Sequence, residues 1–228
     1  MKHTTQLIVA LDVDNLKEAK RLVDLLYPAV KIFKVGSQLF TACGVEAVKM
    51  INKKNAKVFL DLKYHDIPNT VKNAVSSAVE LGVFMLDVHT QGAEEMLKAA
   101  ARSATDKAQE LNIKKPLIIG ITVLTSVNNS QITEDNVLEA AILAKNSGLD
   151  GVVCSVYEAP RVRKELGQDF LIVTPGIRPQ GHASDDQARI ATAKDAVEAG
   201  ADFIVVGRPI VKAKDPLSVA KEISEAIT

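Results

Sequence analysis

Short runs rich in β-branched residues recur along the chain, each closed by a polar residue and followed by a stretch whose apolar positions return every three or four residues. The first run, residues 6–12 (QLIVALD), predicts a buried strand ending on a carboxylate, and Asp14 or Asn15 then caps a helix over about 15–27. The same strand signature returns at 32–36, 58–63, 85–90, 117–122, 151–155, 171–174 and 203–207. Helical periodicity fills the gaps at about 38–53 with a break near Gly44, 68–81, 92–110, 135–146, 158–166 and 185–199, and a last helix is expected over 216–227. A strand-then-helix unit repeated to a total of eight predicts a (β/α)8 (TIM) barrel, an α/β fold in one domain over residues 1–228. The alternative, an open doubly wound sheet, is disfavoured because the first strand-to-helix turn (Asp12-Val13-Asp14-Asn15-Leu16) lacks a G-x-G-x-x-G and eight units leave no length for a second domain.

Composition changes this picture little. With 47% apolar residues in 228, the chain can bury one large core, in keeping with barrels of ~200–250 residues. Lys plus Arg equals Asp plus Glu at 28 each, so no basic field exists to attract nucleic acid or an anionic membrane surface. Cys43 and Cys154 lie far apart, outside any C-x-x-C or Cys/His metal spacing, and are expected as buried thiols. Residues 1–6 pass straight into a strand without an apolar signal region, which makes a cytoplasmic location the expectation.

The candidate chemistry sits at the C-terminal strand ends. Asp61 and Lys63, two apart on a strand, point to one side, and Asp66 follows on a loop that Pro68 ends by opening a helix, so one lysine comes within reach of two carboxylates. A surface ion pair alone could account for D-x-K-x-x-D at a strand end. Asp12 and Lys34, however, end or stand on the first two strands, and with Asp61 and Lys63 they form an alternating set of charges on neighbouring barrel strands. Buried charge costs several kcal/mol per ion unless it is paired, so such a set is expected to serve a site. Asp87, His89, Thr122, Ser155 and Thr174 also stand at strand ends, and Asp87 and His89 are expected to hydrogen-bond the barrel rim rather than to act in chemistry.

After strands seven and eight come Thr174-Pro175-Gly176-Ile177-Arg178-Pro179 and Val206-Gly207-Arg208-Pro209-Ile210. Barrels commonly bind phosphate there: glycine lets backbone N–H groups approach the anion and arginine offers a forked donor. No P-loop, H-E-x-x-H, histidine cluster or serine elbow accompanies these residues, so lysine, carboxylates and binding energy are left to act on a sugar or nucleotide phosphate. Proton transfer at carbon, or cleavage of a carbon–carbon bond with lysine protonating the carbanion, would fit.

These residues, together with LIVALD at 7–12, FKVG at 33–36, DLKYHDIPNT at 61–70, Leu124-Thr125-Ser126 and Asp185-Asp186-Gln187, give the chain a resemblance to the bacterial-type orotidine 5′-phosphate decarboxylase family over nearly its whole length. The resemblance implies decarboxylation of orotidine 5′-monophosphate to UMP with neither metal nor organic cofactor. It implies that Asp12 and Lys34 hold the ribose hydroxyls, that Lys63 protonates C6 of the pyrimidine, and that Asp61 lies beside the departing carboxylate. Asp66 and Thr70 would enter the partner's barrel across a homodimer interface, and Ile67 would be a substrate-binding residue. Thr125 and Ser126 would face the base, Gln187 would bridge base and phosphate, and Pro175, Arg178, Gly207 and Arg208 would line the phosphate side. The rival within the fold is an Mg2+-dependent sugar-phosphate decarboxylase or aldolase such as 3-keto-L-gulonate 6-phosphate decarboxylase or hexulose 6-phosphate synthase, against which the Leu-Thr-Ser segment and the Thr-Pro-Gly-Ile-Arg-Pro loop argue. A rival of another class, a nucleotide-sensing barrel without catalysis, would have lost the charge network that Asp61, Lys63 and Asp66 retain.

Overall fold

The computed structural model describes residues 4–123, 134–178 and 191–228. Eight parallel strands close into a barrel in sequence order: β1 (Gln6–Ala10), β2 (Ile32–Gly36), β3 (Lys57–Tyr64), β4 (Met85–His89), β5 (Leu117–Ile121), β6 (Gly151–Val153), β7 (Leu171–Thr174) and β8 (Phe203–Val206), with β8 pairing back onto β1. Helices α1 (Leu16–Leu26), α2 (Ser37–Cys43), α3 (Val45–Asn52), α4 (Pro68–Glu80), α5 (Ala93–Glu110), α6 (Glu134–Asn146), α7 (Ala159–Leu166), α8 (Ala193–Glu198), α9 (Arg208–Val211) and α10 (Pro216–Ala226) alternate with them. The predicted (β/α)8 barrel is therefore the observed fold. The longer helices turn an apolar stripe inward. In α1 the stripe is Ala19, Leu22, Val23 and Leu26, and the Asn15 side chain starts the helix by accepting the Glu18 N–H at 2.9 Å.

Strand alternation divides the core in two. Leu7, Val9, Phe33, Val35, Val58 and Leu60 face outward into the layer shared with the helices. Their neighbours Ile8, Ile32, Phe59, Met85, Ile119, Val173 and Phe203 fill the barrel interior as a separate apolar cluster. Two residues further along each strand the interior position turns polar on one side of the barrel: Ile32 is followed by Lys34, Phe59 by Asp61, and Met85 by Asp87. The barrel is thus plugged with hydrocarbon below and charged above.

Charges at the opposite, N-terminal end have a structural role. Asp150 accepts the Ile118 N–H at 2.8 Å and pairs with Lys115, while Asp202 accepts the Ile172 N–H at 2.8 Å and pairs with Arg163 at 2.6 Å. Each ties two adjacent strands together through a backbone donor that would otherwise go unmet. Among the described residues no helix is long and apolar enough to cross a membrane.

Several expected boundaries move. A 3-10 turn over Thr90–Gly92 separates β4 from α5, and β6 stops at Val153, two residues short of Ser155, whose N–H is taken by the Glu158 side chain at 2.9 Å. Helix α8 begins only at Ala193, because Ala191 bridges to Ile177 and Thr192 forms a reciprocal cap with Asp195; the earlier part of the expected helix lies outside the described residues. Cys154 is buried as expected, whereas Cys43, on the last turn of α2, is only half-buried.

Candidate active site

A cavity of about 220 Å3 opens at the C-terminal end of the barrel above Phe59 and Val173. Its charged lining is Asp12, Lys34, Asp61, Lys63, Asp87, Arg178 and Arg208. The chain of charges expected from the sequence is continuous. Asp12 Oδ1 lies 3.2 Å from Lys34 Nζ, Lys34 Nζ lies 3.0 Å from Asp61 Oδ2, and Asp61 Oδ1 meets Lys63 Nζ. One buried carboxylate therefore holds two ammonium groups, one on each oxygen. Gly36 makes room for this: a Cβ there would come within 2.9 Å of Lys34 Nζ.

Burial and charge oppose one another along this chain. Burial disfavours the charged form of Lys34, but Asp61 and Asp12 outweigh it and raise its pKa above the ordinary value. Burial likewise works against ionised Asp61, yet Lys34, the neighbouring Asp87 and Lys63 together hold the carboxyl well below the usual carboxylate range. The pair Lys34–Asp61 is accordingly ionised at neutral pH.

Lys63 reaches the cavity by a route that simple alternation does not foresee. Leu60 pairs with Leu86 and the next pair is Tyr64 with Val88, so β3 advances four residues while β4 advances two. Within this bulge Lys63 has φ +51°, a left-handed conformation costing a lysine about 1–2 kcal/mol. Its backbone N–H donates to Asp87 Oδ1 at 2.7 Å. Asp87, expected as a rim residue, is instead fully buried in the cavity wall between β3 and β4, and burial together with the neighbouring Asp61 pushes its pKa well above the usual carboxylate range. Its signal in the sequence was a lone acid at an interior-facing position of an otherwise apolar strand.

Asp66 corrects a second expectation. Within one chain it is not the second carboxylate on Lys63: the backbone turns outward after Tyr64, and the exposed Asp66 side chain accepts the neighbouring Ile67 N–H at 2.6 Å. Ile67 is 66% exposed and Thr70 is exposed on the first turn of α4, so neither lines the cavity of its own chain. His89 stacks near His65 at 5.4 Å between ring centroids, and burial, His65 and Lys63 lower its pKa. Thr122 donates to the Val153 carbonyl at 2.7 Å. Neither these two nor Ser155 and Thr174 line the cavity.

On the far side, Pro175, Gly176 and Arg178 follow β7, and Gly207 and Arg208 follow β8. In a closed eight-stranded barrel β7 stands opposite β3, so Arg178 follows the strand across the opening from Asp61 and Lys63, whereas β8 pairs with β1 and brings Gly207 and Arg208 to the Asp12 end of the chain of charges. Arg178 is buried at 7% exposure and Arg208 is half-buried at the start of α9. Thr125, Ser126 and Gln187 lie outside the described residues. Among the described residues no group of three His, Cys, Asp or Glu side chains is disposed to hold a metal ion.

Fold and site together define a (β/α)8 barrel enzyme whose charged groups gather at the C-terminal mouth. The chain belongs to the orotidine 5′-phosphate decarboxylase / HUMPS family, whose model matches residues 5–223. It is 46% identical to the orotidine 5′-phosphate decarboxylase of Vibrio campbellii over 230 residues, covering 97% of each chain. The enzyme of that name from Moorella thermoacetica is 45% identical over 97% of this chain and 92% of its own. The crystal structure of orotidine 5′-phosphate decarboxylase from Lactobacillus acidophilus superposes with a TM-score of 0.86 at 36% identity, covering 98% of this chain and 99% of the other.

Proposed function

We propose that the protein decarboxylates orotidine 5′-monophosphate to UMP and CO2, the last step of de novo UMP synthesis, with neither metal nor organic cofactor. The observation that carries this reading is the Lys63 ammonium paired with buried Asp61, across a cavity from Arg178 and Arg208, in a chain whose relatives bear that enzyme's name. Loss of CO2 leaves an electron pair on C6 of the pyrimidine. A preoriented ammonium stabilises that charge at close range and then delivers its proton to the carbon. Asp61 aims the ammonium through their ion pair and lies beside the departing carboxylate. Asp12 and Lys34 bind the ribose hydroxyls, while Arg178, Gly207 and Arg208, with Pro175 beside them, take the phosphate. Thr125 and Ser126 face the base and Gln187 spans base and phosphate.

The functional unit is a homodimer in which Asp66, Ile67 and Thr70 complete the partner's site. Their exposure, and their distance from the cavity of their own chain, support this assignment. Purified protein in excess EDTA, given orotidine 5′-monophosphate, is expected to consume the orotidine absorbance and yield UMP. A folded protein that leaves the substrate intact would refute the activity. Turnover abolished by EDTA and restored by Mg2+ would refute its independence of metal.

A further inference from the structure

Asp87 is fully buried, yet only one of its oxygens has an N–H donor. Oδ1 accepts the Lys63 N–H, and Oδ2 has no hydrogen-bond donor facing it. An ionised carboxylate with a bare oxygen in this position would bear the full cost of lost solvation, several kcal/mol in a dry interior. The carboxyl of Asp61 stands beside it: Leu60 pairs with Leu86, so Asp61 and Asp87 are the next residues on adjacent strands, both line the cavity, and each acid shifts the other's pKa. It already holds Lys34 and Lys63, so it is the better stabilised anion of the two.

Resting on the reading of Lys63 as proton donor, we propose that Asp87 is the positioning residue of the site: it holds the Lys63 backbone in its left-handed bend and steadies Asp61 by sharing a proton with it. The proton satisfies the orphan oxygen of Asp87, which becomes a donor, and Asp61 keeps its negative charge for the two lysines. The backbone bond supplies the second half of the role. Lys63 sits where β3 carries two residues more than β4 can pair, and in this bulge its N–H finds its acceptor in a side chain instead of in the ladder. A left-handed lysine persists only where its surroundings hold it, and Asp87 is the group holding the N–H of that residue. One buried acid thus fixes both the stem of the lysine and the carboxylate that aims its head.

Asparagine reproduces this arrangement: its carbonyl accepts the Lys63 N–H and its amide donates to Asp61, with no charge of its own. Leucine keeps the branching at Cγ, with methyl groups bulkier than the oxygens they replace, and removes both bonds. The expected outcome with orotidine 5′-monophosphate is a fall in kcat of about 100-fold or more in Asp87→Leu with KM changed only a few-fold, and recovery in Asp87→Asn to within about tenfold of wild type. Equal damage by Asn and Leu would overturn the shared proton, because it would mean that Asp87 is needed as an anion. An Asp87→Leu protein with near-normal kcat would overturn the positioning role. Where Asp87→Leu does not fold, Asp87→Ala, which leaves a hole rather than a bulky group, takes its place.

Crystal structures of the variants read the geometry without turnover. Lys63 is expected to keep its positive φ and its contact with Asp61 in Asp87→Asn and to lose them in Asp87→Leu or Asp87→Ala. Unchanged Lys63 in all of them would overturn the proposal. Inactivity of the wild type would count against decarboxylation itself, and the structural comparison would still test Asp87.

Discussion

Lys34 and Lys63 share one carboxylate but differ in how much the fold depends on them. The Lys34 side chain is 11% exposed and that of Lys63 is 37% exposed, so removing Lys34 strands Asp61 in a far drier setting. Lys34→Ala is expected to destabilise the protein by roughly 3 kcal/mol in urea titration as well as to impair turnover. Lys63→Ala is expected to cost about 1 kcal/mol or less yet to reduce kcat by ~10³-fold or more, with UMP binding largely kept. Near-normal turnover by folded Lys63→Ala would remove it as proton donor. Stability against pH separates the two acids of the wall. Asp61, its pKa depressed, contributes stability above the ordinary value of 3.8 that is lost only as pH falls through its lowered pKa. Asp87 has the opposite sign: the folded state keeps a proton that the unfolded chain releases above about 3.8, so stability declines as pH rises from there toward the raised pKa. Asp61, Lys63 and Tyr64 are the titratable groups coupled to it. Asp87→Asn removes the declining part. Its Tm should exceed that of wild type at pH 8 by a margin that shrinks toward pH 4, as calorimetry can measure, and a constant difference across that range would mean that Asp87 does not hold its proton.

At the scale of elements, strand alternation revealed much of the site because interior positions of a barrel are two residues apart. A charge two beyond an apolar interior residue, as Lys34 is to Ile32 and Asp61 to Phe59, has to face the mouth. Two features lay outside that rule. The sequence at 60–64 continues β-like through the bulge, so nothing local marks the two residues that β4 leaves unpaired or the acceptor that Asp87 supplies. Counting three residues from Lys63 likewise brought Asp66 to it, whereas the turn outward after Tyr64 is a property of the β3–α4 connection. The four-residue α9 is too short to leave a periodicity, yet it sets the first of its residues, Arg208, at the cavity. Phosphate held there touches no reacting atom, so its binding energy can assist only by fixing the nucleotide against the charged wall. Arg208→Ala should weaken UMP binding and lower kcat/KM for orotidine 5′-monophosphate about 100-fold, close to 3 kcal/mol, while orotidine itself, already a very poor substrate, should lose little more. Equal loss on both substrates in steady-state kinetics would mean that Arg208 supports the barrel rather than the phosphate.

For the molecule as a whole, a single barrel leaves part of the expected site outside its own cavity. Within a single chain the lysine–carboxylate wall, the arginine side and the apolar floor all meet around one cavity, but the DIPNT segment that follows Lys63 stands outside it. An isoleucine 66% exposed between an acid and a proline, next to the mouth, is the kind of surface that a symmetric partner covers. If Asp66 works in the partner's site, two dead variants can rescue each other. Mixing equal amounts of Asp66→Asn and Lys63→Ala and letting subunits exchange gives half heterodimers. In each of these, one site joins native Lys63 from one chain with native Asp66 from the other, and the second site carries both lesions. Recovery should then approach a quarter of the wild-type activity per subunit. If Asp66 instead serves its own barrel, each chain of every heterodimer keeps its lesion and the mixture stays dead. The two arrangements therefore differ by about a quarter against none, provided that heterodimers are shown to form by native mass spectrometry of differently tagged chains.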